Sequence, residues 1–241
     1  MRLLTLTLDM PLHAADIPGF RSAMVAIAGP ENALFHGHNN EPGAVDPYVR
    51  DYPLVQYAVR RGRAALIGLE DGAQALRTVI LPRLPSQLDI AGISRPVGGF
   101  RVRDEELPLA ILEEPAAFGL AGWMALNADN FHQWKTAAGS PSRLEMLHRA
   151  LTGQLRAFAE RMQLPDYKAV VARVLRVDNQ KRARWHGVDL VRFHVWAQAN
   201  LLPPEGIHIG RAAAFGFGEV CHAGYYEHLL QATRRDHPEV L

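Results

Sequence analysis

Element order constrains this chain more than any single motif does. The first half reads strand, helix, hairpin, helix, strand, and after Pro108 the chain restarts in a similar order. Residues 2–9 form a short apolar stretch that largely alternates, as a half-buried strand does. Pro18 stands where a helix can begin, with Asp16 nearby as a cap. Phe20, Met24, Val25 and Ile27 then keep helical spacing as far as Gly29. Residues 53–59 and 64–69 are strand-like, and Arg60-Arg61-Gly62-Arg63 between them is a basic turn, so the unit is a hairpin. Glu70 and Asp71 open a helix with Ala73, Leu76, Val79, Ile80 and Leu84 on its apolar face. A further strand is expected within 86–103. That order is the ferredoxin-like, split βαβ arrangement.

The second half repeats the pattern without repeating the sequence. Residues 120–126 read as a strand, and Asn127-Ala128-Asp129-Asn130 caps a short helix with Phe131 and Trp134. Ser142 and Glu145 match a capping box. Leu144, Leu147, Leu151, Leu155 and Phe158 then form an i, i+3/i+4 stripe ending near Pro165. Two long strands, 168–178 and 188–199, are joined by the polar and basic 179–184, and a last helix covers 223–234. The fold class expected is α+β, with two tandem ferredoxin-like domains over 1–104 and 105–241.

Composition narrows the class. Hydrophobic residues at 48% and charged residues at 21% suit a globular chain with a real core. No apolar stretch reaches the roughly 18 residues of a membrane span, and the N-terminal strand lacks the cleavage site of a signal peptide. The one cysteine, Cys221, cannot form an internal disulfide and reads as a small buried hydrophobe. A cytoplasmic protein without a membrane contact is expected. Net charge is +1, so the surface is not uniformly basic. Among 26 Lys+Arg residues only Lys135, Lys168 and Lys181 are lysine. Arginine suits bidentate phosphate contacts, but a GC-rich genome produces the same bias.

The stretch richest in chemistry is Leu34-Phe35-His36-Gly37-His38-Asn39-Asn40. If it is extended, His36 and His38 point to one side. Two imidazoles on one side serve proton transfer at neutral pH, and they also serve metal binding. A metallohydrolase that opens with His-x-His usually adds an acidic or histidine ligand just after. Here Asn39, Asn40 and Glu41 follow, and two ligands leave a zinc site incomplete. No cofactor is expected.

Three basic or glycine-rich segments complete the candidates. Arg60, Arg61 and Arg63 sit at the first hairpin turn, and Lys181, Arg182 and Arg184 sit between the later strands. Gly210, Arg211, Gly216 and Gly218 lie in a glycine-rich stretch that fits neither the dinucleotide fingerprint nor the Walker A pattern. A glycine loop with one arginine lets a phosphate backbone approach closely. A turn followed by a bulged strand gives the same glycines.

Phe35-His36-Gly37-His38-Asn39, Tyr52-Pro53-Leu54-Val55-Gln56-Tyr57, residues 67–73, Trp123-Met124-Ala125-Leu126-Asn127 and Gly206 to Val220 occur in one order across nearly the whole chain. In that order they resemble the CRISPR-associated repeat-processing endoribonucleases of the RAMP superfamily, in the subfamily with an N-terminal His-x-His. The resemblance implies two ferredoxin-like domains that bind CRISPR repeat RNA, as a monomer or homodimer. It leaves room for other CRISPR-associated proteins as partners. It implies metal-independent cleavage by 2′-OH attack, leaving a 2′,3′-cyclic phosphate and a 5′-OH. It puts His36 and His38 at the catalytic centre. It does not order the two: His38 is assigned here as base and His36 as acid or support, and the sequence leaves that order open. Tyr52, or alternatively Tyr48, assists. Superfamily members that only bind RNA, as parts of a CRISPR complex, provide one alternative, and a His-x-His metal-dependent hydrolase provides a second, lesser one.

Overall fold

The computed structural model describes residues 1–36, 51–137, 139–185 and 188–236. The chain divides into two units: residues 1–108 with 214–216, and residues 109–213 with 217–241. Each carries a four-stranded antiparallel sheet and helices, the tandem ferredoxin-like arrangement.

In the first unit the elements are β1 (Arg2–Pro11), α1 (Ile17–Ala28), α2 (Ala33–His36), β2 (Val55–Arg60), β3 (Arg63–Leu69) and α3 (Asp71–Ala75). The run from α3 continues as a π-type turn, Leu76–Ile80, and a tighter 3-10 turn, Leu81–Arg83. The range 86–103, where a further strand is expected, holds a small separate hairpin, β4 (Gln87–Ile90) with β5 (Ile93–Pro96), and the start of the main-sheet strand β6 (Phe100–Glu106). The main sheet has the order β2-β3-β1-β6. Leu4, Leu6, Leu8 and Met10 point from β1 into a core with Phe20 and Met24 of α1 and with Leu76 and Ile80. That packing forms α1 where the apolar spacing predicts it. Truncating any of these leucines to alanine would cost about 2–5 kcal/mol. Asp16 precedes α1 but does not cap it. Its carboxylate pairs with Arg95 at 2.9 Å and accepts from the His13 amide at 3.3 Å.

The second unit holds β7 (Ala116–Trp123), α4 (Ala128–Thr136), α5 (Ser140–Arg161), β8 (Ala172–Trp185), β9 (Val188–Ala199), β10 (Glu219–Cys221) and α6 (Ala223–Asp236). Its sheet order is β10-β7-β9-β8. Asn127 caps α4 as expected, accepting from the Asn130 amide at 2.7 Å. The expected capping box of Ser142 and Glu145 does not form, because α5 starts three residues earlier, with Gly139 at the cap position and Pro141 in its first turn. Leu147, Leu151, Leu155 and Phe158 of α5 are buried, and α5 packs on β8. On the opposite side Tyr226 of α6 lies against Trp196, with ring centroids 5.4 Å apart. Its hydroxyl donates to Asp178 at 2.7 Å. Among the described residues no helix is long and apolar enough to cross a membrane.

Candidate active site and nucleic-acid interface

His36 ends α2 and is not in an extended stretch, so strand alternation does not place the His pair. The local cause is Asn32: its side chain accepts from the Leu34 amide at 3.3 Å, and its carbonyl accepts from the Phe35 amide at 3.1 Å. Two side chains then hold the end of the turn. The buried Tyr57 hydroxyl donates to the Phe35 carbonyl at 3.0 Å, and the Arg21 guanidinium donates to the His36 carbonyl. A helix C-terminus leaves its last carbonyls without intrahelical partners, and here long side chains from α1 and β2 supply them. His36 itself is 8% exposed. His38 and Tyr48 lie outside the described residues.

Tyr52 is buried, and its hydroxyl accepts from the Gln56 amide at 2.8 Å. Burial pushes the phenol well above its usual range, so it is a neutral O–H. Arg60, Arg61 and Arg63 surround the β2–β3 turn, where Arg61 and Gly62 both have positive φ, the backbone of a tight two-residue hairpin. Arg61 and Arg63 are exposed, and Arg63 pairs with Asp9.

The later basic segment differs from its expected place. Lys181, Arg182 and Arg184 belong to β8 and are not in a turn. They pair in register with Arg192, Val191 and Asp189. The β9 partner is long and rich in β-branched and aromatic residues, so it carries the ladder onward, and an edge strand tolerates charge. Register shifts at Leu175 and Asp178 mark two bulges on the way.

The glycine-rich stretch is a ribbon closed on itself. Gly206 donates to Val220, Val220 to Ile207, and Ile209 to Gly218, each at 2.8 Å. Gly218 in turn donates to Ala121 at 3.1 Å. At Gly210 φ is +107, and a Cβ there would lie 2.7 Å from the Trp123 indole nitrogen. That indole donates to Gln154 at 2.7 Å, and Gln154 donates to the Ala125 carbonyl at 3.1 Å. The ribbon is thereby seated on β7 and α5, with the exposed Arg211 held through its amide to Met124 at 3.1 Å. Gly216 belongs to the first unit, where it lies against the backbone of Tyr57.

Sequence reasoning passed over a polar cluster on β8 and β9. Asn179 faces His194 and Lys181 faces Arg192 across the strands, all on one side of the sheet. Asn179 Oδ1, Arg192 Nε and His194 Nδ1 are buried there with no hydrogen-bond partner among the described residues. Burial, then the charges of Arg192 and Lys181, push the His194 imidazole down to about 4. The period-two spacing of Arg192, His194 and Trp196 was the available signal.

Two family models match: the Cas6b N-terminal domain over residues 1–91 and the Cas6b C-terminal domain over residues 110–223. Among solved structures, a crystal structure of Cas6b is similar at 19% identity and TM-score 0.78, covering 92% of this chain and 100% of that one. A CRISPR RNA processing endoribonuclease Cas6b is similar at 17% identity and TM-score 0.67, with 92% and 100% covered. A RAMP protein binding different RNA substrates is similar at 13% identity and TM-score 0.51, with 92% and 98% covered. At these identities the likeness is one of fold. No curated protein matches this sequence.

Proposed function

The chain belongs to the Cas6b family, and from that premise we propose that it is an endoribonuclease that cuts CRISPR precursor transcripts within their repeats. The observation that carries this reading is that both halves match the two domains of one family, with His36 and His38 inside the N-terminal match. The solved relative described as a CRISPR RNA processing endoribonuclease supports it through the shared fold.

The chemistry needs two proton transfers. A base removes the proton of the RNA 2′-OH, and O2′ attacks the adjacent phosphorus. The P–O5′ bond breaks and an acid protonates the departing O5′. The products are a 2′,3′-cyclic phosphate and a 5′-OH. One neutral and one protonated imidazole supply both transfers, each accelerating the reaction by about 10²–10⁴-fold. His38 is assigned as base and His36 as acid or support, so the mechanism requires no metal. A neutral tyrosine such as Tyr52 stabilises the charge that develops on phosphate. Arg60, Arg61, Arg63, Lys181, Arg182, Arg184 and the ribbon at Gly210, Gly216 and Gly218 are assigned to RNA. Phosphates give affinity and unpaired bases give sequence recognition.

The burial of His36 favours one second reading, a non-catalytic RNA-binding protein of the same fold. Incubation with the cognate repeat RNA in EDTA separates the two. The endoribonuclease cuts, and replacing both His36 and His38 by alanine abolishes cutting while binding survives. Binding without cutting by the unaltered protein, both in EDTA and with divalent metal restored, would establish the second reading instead.

A further inference from the structure

We propose that Arg21 is a positioning residue for His36, held in place by the aromatic ring of Phe215. The inference rests on the reading of His36 as part of the catalytic centre. Arg21 follows Phe20 on α1, and Phe20 is anchored in the core with its ring edge-on to Tyr57, centroids 5.9 Å apart. From that fixed base the guanidinium reaches the carbonyl of His36. Its carbon lies 4.9 Å from the centre of the Phe215 ring. Phe215 belongs to the three-residue segment 214–216 that joins the first unit, and the neighbouring Gly216 lies against the backbone of Tyr57.

The arrangement suits arginine in particular. A guanidinium stacks one flat face on an aromatic ring while donating from its edge. An ammonium has no such plane. Burial holds the Arg21 guanidinium below its ordinary range, which reflects a cation withdrawn from water and committed to these contacts. Together with Tyr57, it fixes two successive carbonyls, those of Phe35 and His36. The direction in which the chain leaves His36 is set by that second carbonyl. Arg21 therefore acts through His36 and not on the substrate.

The test uses the full chain with Arg21→Ala, Arg21→Lys and Phe215→Leu. Single-turnover cutting of the repeat RNA is measured beside affinity for the same RNA carrying a 2′-deoxy scissile nucleotide. Misplacement of a reacting group by about 1 Å costs on the order of a hundredfold, so Arg21→Ala should lose about that much rate with little change in affinity. Phe215→Leu should lose part of it, and Arg21→Lys should restore only part. In parallel, each histidine is labelled with diethyl pyrocarbonate and quantified by peptide mass spectrometry. His36 should react severalfold faster in Arg21→Ala and Phe215→Leu, while His132 and His148 react as before. Unchanged His36 labelling overturns the proposal, as does an equal rise at every histidine or a loss confined to affinity. If the unaltered protein does not cut the repeat, the cleavage reading falls, and the labelling alone decides the role of Arg21.

Discussion

Tyr57 donates its hydroxyl to the carbonyl of Phe35 across 3.0 Å, one residue before His36. Both side chains are buried, and burial pushes the phenol of Tyr57 well above its usual range. The donor therefore stays protonated at neutral pH. Tyr57→Phe keeps the ring and removes the donor, leaving a buried carbonyl short of a partner at a cost of about 1–3 kcal/mol. Urea denaturation should show that loss, and cutting should slow because His36 is less firmly placed. Unchanged stability would mean that the bond contributes nothing net.

Gly210→Ala puts a methyl group 2.7 Å from the Trp123 indole nitrogen at a φ of +107. The bond from Trp123 to Gln154 must yield, or the ribbon must move. Thermal melting should fall, and RNA affinity should fall with it, since Arg211 hangs from the same turn. A variant with wild-type melting and affinity would remove the ribbon from the RNA surface.

The polar cluster predicts a pH dependence. His194 takes a proton at about 4 in the folded chain, against an ordinary value of 6.5. Between those values the unfolded chain binds more protons, so stability rises with pH there. The contribution is whole above 6.5 and is lost as pH falls through 4, amounting to about 3 kcal/mol. His194→Gln, which cannot take up a proton, should flatten the curve of unfolding free energy over that window. An unaltered slope would show that another group titrates.

Arg182 and Arg184 should reveal their role in the salt dependence of binding. For every phosphate that a variant no longer neutralises, the slope of log affinity against log salt becomes shallower by about 0.7–0.9. Arg182→Ala with Arg184→Ala should weaken binding to all sequences alike. A steep slope retained in the double variant would place the RNA elsewhere.

Much of the frame was legible because local pattern and tertiary need agree. The alternation of β1, the Arg61-Gly62 turn and the leucine stripe of α5 each form where spacing puts them. The misreadings share a cause. Lys181, Arg182 and Arg184 read as a turn by charge, but β9 extends opposite them and carries them into a strand. Asp16 reads as a helix cap, but Arg95, 79 residues away, takes its carboxylate. Residues 33–51 read as a loop, but Asn32 and Tyr57 close a helical turn around His36 at its start. In each case a partner distant in sequence, or a side-chain bond, decides. The cluster at His194 was half legible: the spacing of Arg192, His194 and Trp196 stood in the sequence, but only cross-strand register brings Asn179 and Lys181 beside it.

Attack by the RNA's own 2′-OH is tested by one substrate. A cognate repeat carrying a single 2′-deoxy nucleotide at the scissile position should bind as the all-ribose repeat does and remain uncut in EDTA. Cutting of that substrate would contradict the account.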